Sequence, residues 1–557
     1  MSETNKTVLI SAADFGVVPG REVEKELTAL FKNLSETHGE KELYFEPGEY
    51  FIDASKCEKE LFYITNTVGD NEFKKGEIPH ENRAAFNLKG INDLYIKGDD
   101  AVFTIDGQCT NMAIRDCENI TVEGITIKVV SPDMHELAAE RVTPFYVDFR
   151  LDKESNYVKT SKGFAFKGTD YQVDFADCAL NAHWIGRIRK ESINSLRRVG
   201  HPLLGCHKIK ELDDRLFRAY YFVPRGIKKG DRYYLFDVRR KYAGIFAERC
   251  KNLTLRGIKQ RFNYSLALVA QDCENVNVEK VDFSPEEGGA RLMASVADFM
   301  QICMCRGDVN ITDSFYQGAG DDCLNVHGIH FKIESIKKTA QGGELKVKFM
   351  HPQSHGFNPL RVGDDIEYID TKSMLSKGKA KILSSSLLDE YTISLSVDSL
   401  SGGEKGMVIE DVTACPNLYF AGNELTRIIT RGLLITTRGK VVVKNNIFAD
   451  TQMSSILFSD DAKSWYESGM VCDAVIQGNK FLTCGSGKNI WILPENSVHE
   501  GAVHGDFLIE DNIFASPKNG GISAKSTRSL TIRNNKIVKK SKNFVTVKNV
   551  DKLTSDI

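Results

Sequence analysis

Short alternating strands recur along this chain at an offset of 23 residues, stretched in places to 26 or 33. Taking Ile96, Val122, Leu255, Val278, Ile311, Phe420, Val443, Ile476, Ile509 and Ile532 as equivalent aligns runs such as Leu253-Thr254-Leu255, Val276-Asn277-Val278 and Leu530-Thr531-Ile532. Alternation turns the apolar side chains of each run to one side and the polar ones to the other. One coil of a parallel β-helix fits such a period, and each coil buries its apolar side only by stacking on its neighbours. Stacked coils pair like strands in a sheet, so equivalent positions should lie about 4.8 Å apart. The longer offsets are expected where a loop swells on one edge of a coil.

Two further ladders support this register. Three residues after the reference position stand Asn423, Asn446, Asn479, Asn512 and Asn535, which can exchange side-chain hydrogen bonds from coil to coil. Five residues before it stand Cys117, Cys250, Cys273 and Cys415, read as small thiols inside the coils rather than as a disulfide or metal set.

The predicted fold is all-β, a right-handed parallel β-helix with an N-terminal cap and two inserted β-barrel-like domains. Residues 1–130 form the cap and first coils, the cap including a helix with Leu27, Leu30, Phe31 and Leu34 on its apolar face. Residues 131–242 and 329–413 break the period and carry short β-like runs, with turn phrases such as Ile227-Lys228-Lys229-Gly230-Asp231 and Val362-Gly363-Asp364-Asp365. Residues 243–328 and 414–557 are coils, expected to stack across each insertion.

A net charge of −3 over 557 residues argues against an extended basic surface for nucleic acid. No apolar run approaches the roughly 20 residues of a membrane helix. The opening Met-Ser-Glu-Thr-Asn-Lys has no apolar core of a signal peptide, which favours the cytoplasm unless a leader was removed. Thirteen cysteines without a CxxC pair fit reduced thiols. Oligomeric state stays open, although protruding insertions could pack against a second subunit.

The chemistry concentrates in Ala297-Asp298-Phe299-Met300-Gln301-Ile302 and Gly320-Asp321-Asp322-Cys323-Leu324-Asn325-Val326-His327-Gly328. Asp298 and Asp321 are 23 residues apart, one coil. Alternation sends Leu324 and Val326 inward and turns Asn325 and His327 out beside Asp321. Parity alone would bury Asp322 and Asp298, so the Gly318-Ala319-Gly320 approach must twist the backbone. Gln301 would come near Asn325 if the register slipped by one residue.

Glycoside hydrolysis needs a protonated acid at the leaving oxygen and a second carboxylate that attacks the sugar or activates water. Crowded carboxyls resist simultaneous ionisation, so one can keep its proton near neutral pH. Two others sharing one water predict inversion, with acid and base about 6.5–9.5 Å apart. Clustered aspartates also suit calcium, or can be a plain acidic edge. No zinc spacing, Walker loop or dinucleotide fingerprint appears, and no cofactor is expected.

These two segments, their spacing and the doubly interrupted β-helix resemble glycoside hydrolase family 110. The resemblance spans most of the chain, although the insertions match by placement more than by motif. It implies an exo-acting, inverting α-1,3-galactosidase that removes terminal galactose from glycans, including the blood-group B determinant. It also implies Asp321 as general acid and Asp298 with Asp322 as the pair that activates water. The order parallels the more distant polygalacturonases, but Ile329-His330-Phe331-Lys332 lacks their Arg-Ile-Lys motif, which favours a neutral sugar. A non-catalytic carbohydrate-binding β-helix is the other alternative.

Further substrate contacts are expected from Asn325, His327 and Gln301. Arg438 and, more weakly, Arg431 are also candidates, Arg438 because it stands where the cysteine ladder would place a thiol. Trp465 and Glu467, in a swollen coil after Asp460-Asp461, suit a sugar platform with a hydrogen-bonding carboxylate. His183-Trp184 in the first insertion is a remoter candidate.

Overall fold

The structure is a computed structural model. It describes residues 7–557 except 68, 70–75, 133, 162, 168–171, 175–183, 190, 191, 199, 237–239, 290, 518, 519, 540 and 542. For 173, 174, 184–189, 192–198 and 236 the backbone alone is considered.

The coils form a parallel β-helix with three faces. On the first face, strands such as Asn92–Lys97, Glu118–Glu123, Lys251–Arg256 and Glu274–Glu279 pair in parallel. The reference positions lie opposite one another throughout: Ile96 on Val122, Val122 on Leu255, Leu255 on Val278, Val278 on Ile311 and Ile311 on Phe420. The stack continues from Phe420 through Val443, Ile476 and Ile509 to Ile532. All ten are fully buried, because each coil has no other surface on which to hide them. An 11-stranded sheet of short strands makes the second face. The third carries Leu266–Gln271, Met300–Cys303, Leu324–Ile329, Leu433–Thr436 and Ile456–Phe458.

The asparagine ladder runs through a buried turn. Asn446 Oδ1 accepts from the main-chain N–H of Asn423 at 2.8 Å, and Asn479 Oδ1 accepts likewise from Asn446 at 2.9 Å. Asn512 and Asn535 continue the series at 2.9 and 3.0 Å. Each side chain thus satisfies a main-chain donor that the tight coil corner leaves unpaired.

The thiol stack is Cys117, Cys250, Cys273 and then Cys305. An extra residue in the strand Arg306–Thr312 shifts that coil, which hides Cys305 from a fixed-offset reading. Cys415 instead donates to the Asp411 carbonyl at 3.4 Å. All twelve cysteines among the described residues are free thiols.

The cap helix Glu24–Glu36 lays Leu27, Leu30, Phe31 and Leu34 over the open end of the first coil. Phe31 meets Phe86 of that coil at 5.7 Å between ring centroids. No helix among the described residues is long and apolar enough to cross a membrane.

The first insertion leaves the helix after Thr126–Val129 and contains a seven-stranded antiparallel sheet and a three-stranded one. The second leaves after Leu324–Ile329 and closes a six-stranded barrel from Phe331–Thr339 to Val408–Asp411. One insertion therefore stands at each edge of the third face.

Candidate active site

Asp298 and the pair Asp321-Asp322 sit at the corner where the chain turns into the third face. Coil offset here is 24 rather than 23: Met300 lies opposite Leu324 and Gln301 opposite Asn325. Asp298 therefore stacks on Asp322, not on Asp321 as the general period suggests. The turn is tight enough to demand glycine. A Cβ on Gly320 would fall 2.1 Å from the Val296 carbonyl oxygen, and Gly318 has φ +85°. That close approach rotates both buried aspartates toward the outer side of the coil.

One carboxylate oxygen from each of the three aspartates lies within 4.8 Å of the others. This is closer than the 6.5–9.5 Å expected from the sequence, because stacked coils bring equivalent residues to strand spacing. Asp298 and Asp322 are 2 % and 1 % exposed, whereas the Asp321 side chain keeps 17 %.

Two arginines face the cluster. Arg431 grips Asp322 from Nε at 2.9 Å and Nη2 at 2.7 Å, and its main-chain N–H adds a third bond at 2.9 Å. The Thr430 hydroxyl donates to the same carboxylate. Arg240, at the end of the first insertion, reaches Asp321 at 2.6 Å. These guanidinium groups supply, from the protein itself, positive charge of the kind a hard cation would bring.

Burial first, then the neighbouring Asp321 and Asp322 carboxyls, hold Asp298 well above the ordinary carboxylate range, with Arg240 opposing. Asp322 is also raised by burial, although Arg431 pulls the other way. Three carboxyls against two arginines leave one negative charge, which a single retained proton cancels. Titration then belongs to the cluster rather than to one residue.

The cluster opens into a hollow of about 140 Å³. Asn325, Trp465 and Glu467 line it with the aspartates. Asn325 Nδ2 donates to Glu467 Oε1 at 2.9 Å. Trp465 is 47 % exposed and stacks on His351 at 4.3 Å. His351 is pushed down to about 4 by burial and by the nearby His327 and Arg240, so its ring stays neutral at ordinary pH.

Gln301 and His327 stand behind this hollow, on a small recess beside it. The Gln301 amide Nε2 meets His327 Nε2 at 2.6 Å, and His327 Nδ1 meets the Gly328 carbonyl at 2.8 Å. The carbonyl can only accept, so Nδ1 carries the proton and Nε2 accepts from Gln301.

Arg438 does not reach the site. Its guanidinium is held by Glu410 at 2.6 and 2.9 Å and by Glu367 at 2.9 Å, at the joint of barrel and coils. The thiol position it takes over faces those barrel carboxylates, not sugar. Arg431 touches the aspartate cluster through Asp322. His183 lies outside the described residues, and Trp184 contributes backbone to the strand Trp184–Arg189.

Further residues border the hollow. Asn66 donates to Gln301 Oε1 at 2.7 Å and stands 3.5 Å from Asp298 Oδ2. Arg240, Leu434 and Leu457 border it too, as do Asp461 and Glu495. Leu434 and Leu457 follow Asn325 in the outer ladder of the third face, so correct register would have found them. Asn66 and Arg240 lie in irregular segments without periodic signal.

Residues 344–400 match the family model described as GLAA-B beta-barrel domain II. The chain is 30 % identical over 548 residues to α-1,3-galactosidase A of Bacteroides thetaiotaomicron, covering 96 % of this chain and 94 % of the relative. It is 32 % identical to the enzyme of that name from Akkermansia muciniphila over 85 % and 78 % of the two chains. Among solved structures, the exopolygalacturonase of Thermotoga maritima is 10 % identical, covers 99 % of this chain and 88 % of its own, and has a TM-score of 0.38. With nearly the whole chain aligned to curated relatives, this glycoside hydrolase belongs to the α-1,3-galactosidases of family 110.

Proposed function

We propose that the chain removes terminal, non-reducing α-1,3-linked galactose from glycans with inversion, blood-group-B-type ends among them. The observation that carries this reading is the unequal exposure of three clustered carboxyls. All three line the hollow, but the Asp321 side chain is the most exposed, while Asp298 and Asp322 are nearly buried in fixed orientation.

Asp321 is the general acid. It gives the proton retained by the cluster to the bridging oxygen, which departs as the hydroxyl of the shortened glycan. Arg240 then stabilises the carboxylate left behind. A water held by Asp298 and Asp322 attacks the anomeric carbon and passes its proton to that pair. Asp322 is bound by four donors from Thr430 and Arg431. Such a carboxylate is a weak nucleophile but a good anchor for water, which favours inversion over a covalent intermediate even though the cluster is closer than the spacing usual for inverting pairs.

Asp461, Glu467 and Glu495 on the rim of the hollow disfavour uronate polymers by like-charge repulsion. That separates this reading from a polygalacturonase-like one. The test is release of galactose from oligosaccharides ending in α-1,3-galactose, with and without branching fucose, beside an oligogalacturonide control. Cleavage of the control alone would refute the assignment.

A further inference from the structure

The outer ladder of the third face shows where a glycan can lie. Proceeding from the N-terminal side, its members are Ala113, Phe246, Val269, Gln301, Asn325, Leu434 and Leu457. The first three are completely buried. They are roofed by the segment from Phe62 to Thr67: Phe62 and Ile64 pack into one cluster with Phe246 and Val269. Phe62 stands 5.9 Å from the ring of Phe246.

This roof is fastened on several sides. The Thr65 main-chain N–H donates to Gln271 Oε1 at 2.9 Å, and the Thr65 hydroxyl meets Ser354 Oγ at 2.8 Å. Asn66 N–H donates to the Gln353 carbonyl at 2.7 Å, so the second insertion clamps the roof from above. Among the described residues, the roof reaches over Gln301 at Asn66. Beyond that point Asn325, Leu434 and Leu457 line the open hollow, which continues to Glu495 on a later coil.

We infer that the groove is blind at Asn66 and open toward Leu457. The terminal galactose sits against Asn66 on Asn325, and the rest of the glycan runs over Leu434 and Leu457 toward the C-terminal coils. Three ladder steps from Gln301 to Leu457 span roughly 14 Å, enough for the terminal sugar and its neighbour. Asn66 is thereby an end wall that admits chain ends and refuses internal residues. Leu457 belongs to the site for the leaving sugar. This polarity rests on the activity proposed above.

Two substitutions test it. Asn66→Gly keeps the positive φ of 60° at this position without strain, and thermal unfolding checks that the roof persists. It should weaken inhibition by free galactose about tenfold, the scale of lost hydrogen-bond and packing contacts. Leu457→Ala should raise the KM for a trisaccharide ending in α-1,3-galactose about fivefold or more, and more than it changes inhibition by galactose. The reverse pattern, with Leu457→Ala weakening galactose most and Asn66→Gly sparing it, overturns the proposed direction. Failure of the unaltered protein to release galactose from any such glycan refutes the activity instead, whichever way galactose inhibition responds.

Discussion

The main-chain N–H of Asp322 donates to Oδ1 of Asp298 at 3.0 Å, so one carboxylate of the proposed water-activating pair is oriented by the backbone of the other. This bond exists because the two residues occupy equivalent places on stacked coils. The second oxygen of Asp298, 3.5 Å from the Asn66 amide, is the one proposed to hold water. A change at either residue should therefore disturb both.

Replacing Asp321 with Asn removes the proposed proton donor while keeping shape and hydrogen-bonding capacity. We expect kcat on oligosaccharides to fall about 10²–10⁴-fold, the usual worth of a general acid. An activated aryl galactoside, whose leaving group needs less protonation, should lose less. Equal losses on both substrates would assign Asp321 another role.

Arg431 opposes the upward shift of Asp322. Arg431→Leu should raise that carboxyl further and move the acidic limb of the kcat/KM profile to higher pH. A fall in rate with an unmoved limb would mean that Arg431 acts only through packing.

Asp298→Asn should abolish turnover yet stabilise the fold at alkaline pH. A carboxyl whose folded pKa is raised supports folding below its unfolded value. That contribution is lost as pH rises through the folded value. The melting temperature of Asp298→Asn should exceed that of the parent at pH 8 and approach it at pH 4.

Arg438→Met leaves Glu410 buried and unpaired at the joint between barrel and coils. Burial raises the Glu410 carboxyl, but Arg438 outweighs it and brings the net shift downward. Loss of such a partner costs about 3–5 kcal/mol, read as a lower urea midpoint. A selective rise in KM with unchanged stability would return Arg438 to the substrate.

The fold was legible because a β-helix repeats its burial constraint at every coil, so Ile96 through Ile532 carry the same apolar signal. The asparagine ladder was legible for a related reason, since each Asn meets the same unpaired turn donor. Local departures were not. One residue more between Asp298 and Asp322 changes which aspartates stack, and the extra residue before Val309 hides Cys305. Of the candidate contacts, Asn325, Trp465 and Glu467 line the hollow because outward parity and the swollen coil were readable. Arg438 pairs instead with Glu410 and Glu367, because coil parity says nothing about an inserted barrel. Asn66 and Arg240 come from segments 232 and 81 residues away from the aspartates they approach, and only tertiary packing joins them.

The configuration of the first-formed galactose tests the central claim most directly, because it reports where the attacking water stands. Proton NMR during early turnover should show β-galactose first, followed by slow mutarotation to the equilibrium mixture. Initial α-galactose would mean a covalent intermediate, and would contradict the assignment of Asp298 and Asp322 to a shared water.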